Sequence, residues 1–433
     1  MHSFAKRGAA ALAALALGCA LCACGGGAAS AAGGDFTSVP AADTAGASGA
    51  AGAAGASGTT GQTAAGTAGL VYRAMWFSYL EWSHFDTASA DAFRQSVGAA
   101  FDNCADLGLN CVVVQVRPFS DAIYPSSIYP WSHIVTGTQG QDPGYDPLAI
   151  LIEEAHSRGL AFEAWVNPYR VRASDTLPAG ELAASNPAVT HPDWAIAANN
   201  GLYFDPSNAD VQKMIVDGVV EILQKYDVEG VEFDDYFYPT TDPSFDAAQY
   251  AAKGGGQELA VWRRSNVDAL VQAVHAAVQQ TKPGTVFGIS PQGNNEQNYD
   301  AQYSDVPRWL STAGYADYIM PQTYWGYGYT LQNGKTDFAF ETLIPAWAAL
   351  PRADGVSLTF GLGAYRIGEG DGGTNDQSQW QSGHNLADMV QTLAATPGVR
   401  GFALYRYDSL FHNDAYPDLC AAEVQALRAV LRE

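Results

Sequence analysis

The sequence predicts a single (β/α)8 TIM barrel over residues 70–433. Eight short apolar, β-rich runs recur along this segment, and helix-like stretches fill most of the gaps between them. Polar side chains collect at the ends of most of these runs. Strands that are apolar on both faces and alternate with helices are typical of a parallel sheet covered by helices. A doubly wound open sheet is the alternative, but no Gly-rich phosphate-binding turn follows the first run.

The predicted elements follow one another regularly along the segment. The eight strands begin near residues 71, 111, 160, 228, 285, 316, 356 and 401. Helices are predicted at residues 90–107, 148–158, 211–226, 262–280 and 421–431. In the first helix, Phe93, Val97 and Phe101 recur near helical spacing, and Gly159 directly after the second helix is a typical C-terminal stop. The final helix follows the eighth strand, so we expect one domain in this segment.

The N-terminal segment resembles a bacterial lipoprotein signal. Residues 1–24 begin with basic side chains and continue with an apolar run at 8–17, which is too short for a permanent membrane span. The sequence LCAC ends at Cys24 and resembles a lipobox, which implies cleavage before Cys24 and lipid attachment to it. Cys19 is a second candidate, and a plain secretory signal cut near residues 28–32 is the alternative.

The next segment and the overall charge restrict the partners of the protein. Residues 25–69 are nearly all Ala, Gly, Ser and Thr, which predicts a flexible linker without a core. The net charge of -23 disfavours nucleic acid and anionic membrane surfaces as partners. We therefore expect an exported monomer that is anchored to the cell membrane through its N-terminal lipid and faces the cell wall or periplasm.

The few cysteines and histidines predict neither a metal centre nor a cofactor. Cys104, Cys111 and Cys420 are too few and too scattered for a disulfide framework or a zinc site. Cys104 and Cys111 either form a disulfide in an oxidising compartment or are small buried residues. The histidines of the barrel segment fall mostly in loops and helices, which disfavours the alternative of metal-dependent hydrolysis.

Polar and aromatic residues at the predicted strand ends indicate a binding site. In a (β/α)8 barrel the carboxyl ends of all strands share one face, and that face holds the active site. Aromatic faces that stack on sugar rings, with amides and carboxylates that bond hydroxyls, are typical of glycan sites. The predicted substrate-binding residues are Gln115, Arg117, Asp121, Trp165, Asn167, Tyr169, Arg170, Tyr236, Gln322, Tyr324, Trp325 and Tyr365.

The fourth strand, GVEFDDYFYP from residue 230, places three carboxylates close together. Strand alternation directs Glu232 and Asp234 into the barrel, and it directs Asp235 outward unless the chain has already turned. We expect Glu232 to be a buried structural carboxylate and Asp234 to be catalytic. Glycosidases use two carboxylates, and the sequence leaves the second one open. Its candidates are Glu163, Asp235, Glu296 and Asp408.

Six segments in order resemble the bacterial glycosyl-hydrolase-like family ten. They are RPFSDAIYPSSIYPWSHIVTG, DPLAILIEEAHSRGL, AWVNPYRV, YDVEGVEFDDYFYP, FGISP and DYIMPQTYWGY. The resemblance covers residues 71–410 and implies a (β/α)8 barrel that hydrolyses glycans. Some members act on peptidoglycan glycan strands, and envelope lipoproteins are common among them. The residues at the family's motif positions are Gln115, Arg117, Asp121, Asn167, Tyr169, Arg170, Asp234, Asp235, Gln322 and Tyr324.

The sequence departs from the family pattern at two places. Glu163 stands where members often have His, and residues 292–295 replace the usual continuation of strand five. These differences bear on the substrate contacts and on the identity of the acid. They motivate an alternative function, a lipid-anchored glycan-binding protein with a degenerate hydrolase site.

Overall fold

The structure, a computed structural model, describes residues 67–173 and 182–432. The strands in this part are β1 Tyr72–Phe77, β2 Cys111–Arg117, β3 Ala161–Val166, β4 Arg170–Arg172, β5 Ala195–Ala198, β6 Gly201–Phe204, β7 Gly230–Phe233, β8 Val286–Ile289, β9 Tyr318–Ile319, β10 Gln322–Thr323, β11 Ser357–Gly363 and β12 Val399–Tyr405. The helices are α1 Ala90–Leu107, α2 His133–Thr136, α3 Pro147–Ser157, α4 Pro187–Thr190, α5 Ala209–Lys225, α6 Ala247–Lys253, α7 Leu259–Thr281, α8 Asn295–Asp300, α9 Val306–Ser311, α10 Phe340–Ala348, α11 Asn385–Ala395, α12 Tyr407–Phe411 and α13 Pro417–Leu431.

Parallel strands form a closed barrel with eight positions. The order is β1, β2, β3, β7, β8, β9 with β10, β11 and β12, where the two short segments β9 and β10 share one position. Pairing of β12 with β1, with Tyr72 opposite Gly401, closes the ring. The predicted (β/α)8 barrel is confirmed, and each of the eight predicted runs contains a strand of the ring.

Local capping signals explain why the first helix has the bounds that the sequence predicts. The Ser89 side chain accepts a hydrogen bond from the Ala92 N–H at the start of α1. Gly108 follows the last residue of α1 with a φ of 97°, a left-handed conformation that favours glycine. Between these two signals, Phe93, Val97 and Phe101 face the core and are fully buried. Sequence periodicity and caps therefore agree at both ends.

The strands separate two layers of buried side chains. Outward-facing residues such as Val231 and Phe233 pack against the helices in the larger layer. Inward-facing residues such as Trp76, Trp165 and Tyr318 fill the inside of the barrel. Cys104 and Cys111 lie in different layers, and both are free thiols, so the interpretation as small buried residues is confirmed.

A small antiparallel sheet follows β3 and was not predicted. It has the order β4–β6–β5, and Arg170 in β4 lies opposite Tyr203 in β6. Because β4 begins four residues after the end of β3, this sheet lies on the mouth side of the barrel and carries Arg170 there.

Most of the predicted N-terminal features lie outside the described residues. These are the signal at 1–24 with its lipidation site Cys24 and the linker as far as residue 66. The described part begins with the short 3-10 turn Thr67–Gly69, where the Thr67 hydroxyl donates to the carbonyl of Val430 at 3.0 Å. In the two described ranges no helix has the length and apolar character needed to cross a membrane.

Candidate active site

The fourth barrel strand, β7, ends at Phe233, and the chain turns directly afterwards. The Tyr236 N–H donates to Asp234 Oδ1 at 3.1 Å and closes this turn. The turn directs Asp235 toward β10, where Gln322 Nε2 donates to Asp235 Oδ1 at 3.1 Å. Asp235 therefore lies in the mouth beside Asp234, as expected for a chain that has already turned.

Two buried amides connect the first loop of the barrel to Asp234. The Tyr79 N–H donates to Gln115 Oε1 at 2.9 Å, and Gln115 Nε2 donates to Asn167 Oδ1 at 2.5 Å. Asn167 Nδ2 then donates to Asp234 Oδ2 at 2.5 Å. Because a backbone N–H can only donate, it fixes the orientation of Gln115 and, through it, that of Asn167. Each oxygen of Asp234 therefore meets a hydrogen-bond donor.

The two neighbouring carboxylates are almost completely shielded from solvent. Asp234 and Asp235 are 3% and 7% exposed. Burial, and then the charge of Asp235, raises the pKa of Asp234 to about 7, although the Arg170 charge opposes this. Burial also raises the pKa of Asp235, against the hydrogen bonds from Gln292 and Gln322. Neighbouring carboxylates titrate as a pair, so these raised pKa values keep a proton on the pair to higher pH than on a free aspartate.

An exposed aromatic ring lies next to the carboxylate pair. Tyr236 is 43% exposed, and the guanidinium carbon of Arg170 lies 5.2 Å from the centre of its ring. The same guanidinium carbon lies 5.1 Å from the centre of the Phe119 ring, and Arg170 Nε donates a hydrogen bond to the Pro118 carbonyl. The arrangement presents one free aromatic face and one positive charge at the mouth.

Further aromatic residues line the strands across from β3. Tyr324 lies with its ring centre 5.4 Å from that of Tyr405 and 5.5 Å from that of Tyr365. Trp325 is half-buried and stacks on Phe338 at 5.0 Å. The structure thus brings the predicted residues Tyr324, Tyr365 and Trp325 to the mouth. Trp165 lies just below it, at the register of Gln115 and Glu232, and is almost fully buried.

Arg117 is not among the residues that the structure brings to the mouth. The pairing of β2 with β3 is irregular between Gln115, opposite Trp165, and Arg117, opposite Val166. This irregularity turns Arg117 to the side of Val166, which faces the helices. The guanidinium of Arg117 is buried there, over the ring of Tyr129 at 4.4 Å. Strand alternation could not predict the direction of this side chain.

Asp121 and Tyr169 are also placed away from solvent. Asp121 Oδ2 contacts His133 Nδ1 at 3.0 Å and accepts from Gln139 Nε2 at 2.9 Å, and the side chain is fully buried. Tyr169 is fully buried in the layer between strands and helices. Both predicted substrate-binding residues therefore support the loops that follow their strands and have no surface free for a substrate.

Glu163 lies deep inside the barrel, well below the mouth. It is opposite Gly230, four residues before Asp234, which corresponds to about 13 Å along the strand. The Tyr318 hydroxyl donates to Glu163 at 2.5 Å and contacts Glu232 at 2.9 Å. Burial raises the pKa of Glu163 to about 7. The structure thus separates Glu163 from Asp234.

Glu232 has the structural environment that the sequence predicted. Its carboxylate is buried and accepts a hydrogen bond from Trp76 Nε1 at 2.7 Å, in addition to its contact with Tyr318. Burial, and then the neighbouring Glu163, raises its pKa well above the ordinary value. The buried carboxyl of Glu232 thus serves as a hydrogen-bonding partner for Trp76 and Tyr318 inside the barrel.

The other two candidates for the second carboxylate have surroundings unlike those of the buried Asp234 and Asp235 pair. Glu296 is exposed in the first turn of α8. Asp408 follows β12, which lies four barrel positions from β7, and its oxygens contact His84 and His412. Of the four candidates, Asp235 is the one that the structure places beside Asp234.

Several residues of the site were not predicted. They are Tyr79, Gln292 and Phe338, which contact the predicted residues as described above. Tyr79 and Gln292 follow the first and fifth barrel strands. Their position at strand ends is the same signal that identified the other mouth residues, so this signal could have found them.

Comparison with known proteins gives a consistent result. The model of the family described as glycosyl hydrolase-like 10 matches residues 72–382. Glycosyl hydrolase YngK of Bacillus subtilis (strain 168) is 37% identical over 318 residues, which are 68% of this chain and 61% of YngK. Glycosyl hydrolase DigH of Escherichia coli (strain K12) is 33% identical over 352 residues, 75% of this chain and 78% of DigH. The chain thus spans less than two thirds of the length of YngK.

Solved structures share the fold at low sequence identity. The glycoside hydrolase domain of PgaB (BpsB) from Bordetella bronchiseptica superposes with a TM-score of 0.52 at 14% identity, over 83% of this chain and 99% of that domain. Alpha-L-fucosidase isoenzyme 2 from Paenibacillus thiaminolyticus superposes with a TM-score of 0.50 at 15% identity, over 82% of this chain and 49% of the fucosidase chain. These two likenesses concern the fold alone. The family match and the identity to DigH, together with the six motifs on the confirmed barrel, show that this chain belongs to the glycosyl hydrolase-like 10 family.

Proposed function

We propose that this protein is an exported, lipid-anchored glycoside hydrolase that cleaves the glycan strands of peptidoglycan. The observation that carries the proposal is the buried pair Asp234 and Asp235 at the carboxyl end of β7. Glycoside hydrolysis requires one carboxylic acid that protonates the leaving oxygen and one carboxylate that acts as nucleophile or base. A pair that retains one proton provides both forms at the same time.

Hydrogen-bond donors reach both carboxylates of the pair. Asp234 accepts from Asn167 and from the Tyr236 N–H, and donors at both oxygens favour an ionised carboxylate. Asp235 likewise accepts from Gln322 and from Gln292. We therefore assign the two roles to the pair as a whole: the ionised member acts as nucleophile or base, and the other donates the shared proton to the leaving oxygen. In the products this proton lies on the new hydroxyl group of the released glycan.

Charge and aromatic residues support a glycan as substrate. The free face of Tyr236 and the partly exposed rings of Tyr365 and Tyr405, which pack on the buried Tyr324, offer apolar surfaces for sugar rings, and Gln322 and Arg170 offer polar groups. The net charge of -23 disfavours strongly anionic polymers. The choice of peptidoglycan rests on the family resemblance and on the predicted signal with Cys24, which would hold the enzyme next to the cell wall.

The test is mass spectrometry of the products released from intact and from peptide-stripped sacculi. We expect oligosaccharides with new reducing ends from at least one of the two substrates. Asp234→Asn removes a reacting carboxylate and should lower the rate by about 10³-fold or more. Asp106→Asn is the matched control, because Asp106 is exposed near the C-terminal end of α1, at the opposite end of the barrel. Its rate should equal that of the wild type.

Two results would contradict the proposal. Full activity of Asp234→Asn would remove the catalytic assignment. Tight binding of the wild type to glycan strands with no product from either substrate would favour the alternative of a glycan-binding protein. The anchor is tested separately: Cys24→Ala should move the protein from the membrane fraction to the soluble fraction, and unchanged fractionation would refute lipid attachment at this residue.

A further inference from the structure

Two histidines meet a buried aspartate on the mouth side of the barrel, away from the carboxylate pair. His84 ends the short 3-10 helix Tyr79–His84 after β1, and His412 follows α12 after β12. His84 Nδ1 lies 2.8 Å from Asp408 Oδ2, and His412 Nδ1 lies 2.8 Å from Asp408 Oδ1. One ligand atom from each of the three residues lies within 4.8 Å of the others.

Asp408 shares one cationic neighbour with a second carboxylate. Arg406 lies close to Asp408, with Nη1 at 3.3 Å from Oδ2, but it pairs more closely with Glu81 at 2.5 Å. Glu81 and Arg406 therefore largely neutralise each other. One guanidinium thus faces two carboxylates, those of Glu81 and Asp408, which leaves one net negative charge at the cluster. A site with one net negative charge and two imidazole nitrogens attracts a cation.

We propose that His84, Asp408 and His412 bind one divalent transition-metal ion, with Zn²⁺ as the best fit. Imidazole nitrogen and carboxylate oxygen are the ligands that zinc takes in three-ligand sites. Mg²⁺ prefers oxygen ligands and does not suit two imidazoles. The two rings are close enough to share one ion, with their centres 4.5 Å apart.

Binding requires only a small movement of exposed side chains. Tetrahedral zinc with ligand bonds of about 2.0–2.2 Å separates neighbouring ligand atoms by roughly 3.4 Å. The present contacts of 2.8 Å must therefore lengthen by about 0.6 Å, and each imidazole must give up its Nδ1 proton. The side chains of His84 and His412 are 47% and 38% exposed, so they can move outward, whereas Asp408 is held in place. Water completes the coordination from the solvent side.

The proposed ion would connect the two ends of the barrel sequence. His84 belongs to the loop after the first barrel strand, and Asp408 and His412 belong to the segment after the last one. These strands, β1 and β12, form the pair that closes the barrel. An ion at this place stabilises the closing pair on the mouth side. Since β12 lies four barrel positions from β7, the proposed ion site is separate from the pair Asp234 and Asp235.

The test is isothermal titration of the chelator-treated full chain with ZnCl₂, together with its thermal unfolding with and without Zn²⁺. We expect one ion per chain and a rise in the unfolding temperature, because a ligand that binds the folded state stabilises it. His84→Ala and His412→Ala should each weaken Zn²⁺ binding by at least about tenfold, which corresponds to about 1.4 kcal/mol. Each substitution should also abolish the rise in the unfolding temperature. MgCl₂ should produce no heat of binding.

The matched control is His384→Ala. His384 also contacts an aspartate four residues away, with Nδ1 at 2.8 Å from Asp388 Oδ2, but that pair is not part of the three-residue cluster. This variant should bind Zn²⁺ as the wild type does. The proposal is overturned if no ion binds, if binding persists in both His84→Ala and His412→Ala, or if His384→Ala weakens it equally.

Discussion

Asn167 donates a hydrogen bond from Nδ2 to Asp234 Oδ2 at 2.5 Å, and both side chains are buried. The amide of Asn167 cannot rotate freely, since its oxygen accepts from Gln115 at 2.5 Å. Gln115 is in turn fixed by the Tyr79 N–H. A backbone group in the first loop thus determines which atom faces the carboxylate at the end of the fourth barrel strand. This makes Asn167 a positioning residue for Asp234.

Replacing Asn167 by Ala should lower kcat about 10–100-fold and change KM by less than about threefold, because the lost interaction orients a reacting group and does not bind substrate. Loss of the donor also disfavours the ionised form of Asp234, so the pH profile should move to higher pH. Steady-state kinetics across pH measure both effects. A fall in kcat without any shift of the profile would indicate a purely structural role.

Gln115→Glu tests the same chain of hydrogen bonds from a residue that does not contact Asp234. A carboxylate at 115 accepts from the Tyr79 N–H but cannot donate to Asn167. Asn167 then turns its Nδ2 toward residue 115 and presents its oxygen to Asp234. We expect kcat to fall at least as far as in Asn167→Ala, and wild-type kcat would contradict the proposed orientation.

The buried carboxylate pair should make stability depend on pH. Burial and the charge of Asp235 raise the pKa of Asp234 from 3.8 to about 7, so the folded state keeps a proton that the unfolded chain releases. The stabilisation from this proton is complete below pH 3.8 and is lost as the pH rises to about 7. Asp234→Asn does not titrate, and its free energy of unfolding should therefore decrease less than that of the wild type over this interval. Urea denaturation at several pH values measures the difference, and parallel curves for the two proteins would refute it.

Much of the fold could be predicted because its signals are local. A parallel strand buried on both faces gives a continuous apolar run, and all eight runs proved to be barrel strands. Ser89 and Gly108 cap α1 at the bounds that its hydrophobic spacing predicted. The small sheet β4–β6–β5 was missed because its strands are three or four residues long and only partly buried, so they produce no clear periodicity.

The site was harder to predict because small backbone changes decide where side chains point. The irregular pairing after Gln115 turns Arg117 toward the helices, and the turn after Phe233 brings Asp235 into the mouth. Neither change alters the hydrophobic pattern. The contact of His84 with Asp408 spans 324 residues and arises only when the barrel closes. Sequence spacing carries no signal for a contact of this kind.

Glu163→Gln should retain catalytic activity, because Glu163 lies about 13 Å below Asp234 along the strand direction. Glutamine keeps an acceptor for the Tyr318 hydroxyl. Burial raises the pKa of Glu163 from 4.5 to about 7, so the wild type loses stability between these pH values. At pH 8 the variant should therefore be more stable than the wild type, on the order of 3 kcal/mol. Steady-state kinetics test the retained activity, and urea denaturation at pH 8 tests the gain in stability. A large loss of kcat in a folded variant would make Glu163 a catalytic candidate again.

Tyr236 should contribute to substrate binding through its ring and to catalysis only through its backbone. The ring is 43% exposed beside the carboxylate pair, whereas the N–H that bonds Asp234 is present in any substitution other than proline. Tyr236→Ala should raise KM about tenfold, equivalent to about 1.4 kcal/mol, with kcat within about twofold of the wild type. Tyr236→Phe keeps the aromatic face and should restore KM. The control is Tyr299→Ala, another exposed tyrosine with an arginine over its ring, Arg264 at 3.9 Å, which should leave KM unchanged. A similar KM for Tyr236→Ala and the wild type would show that glycan binding does not use this ring.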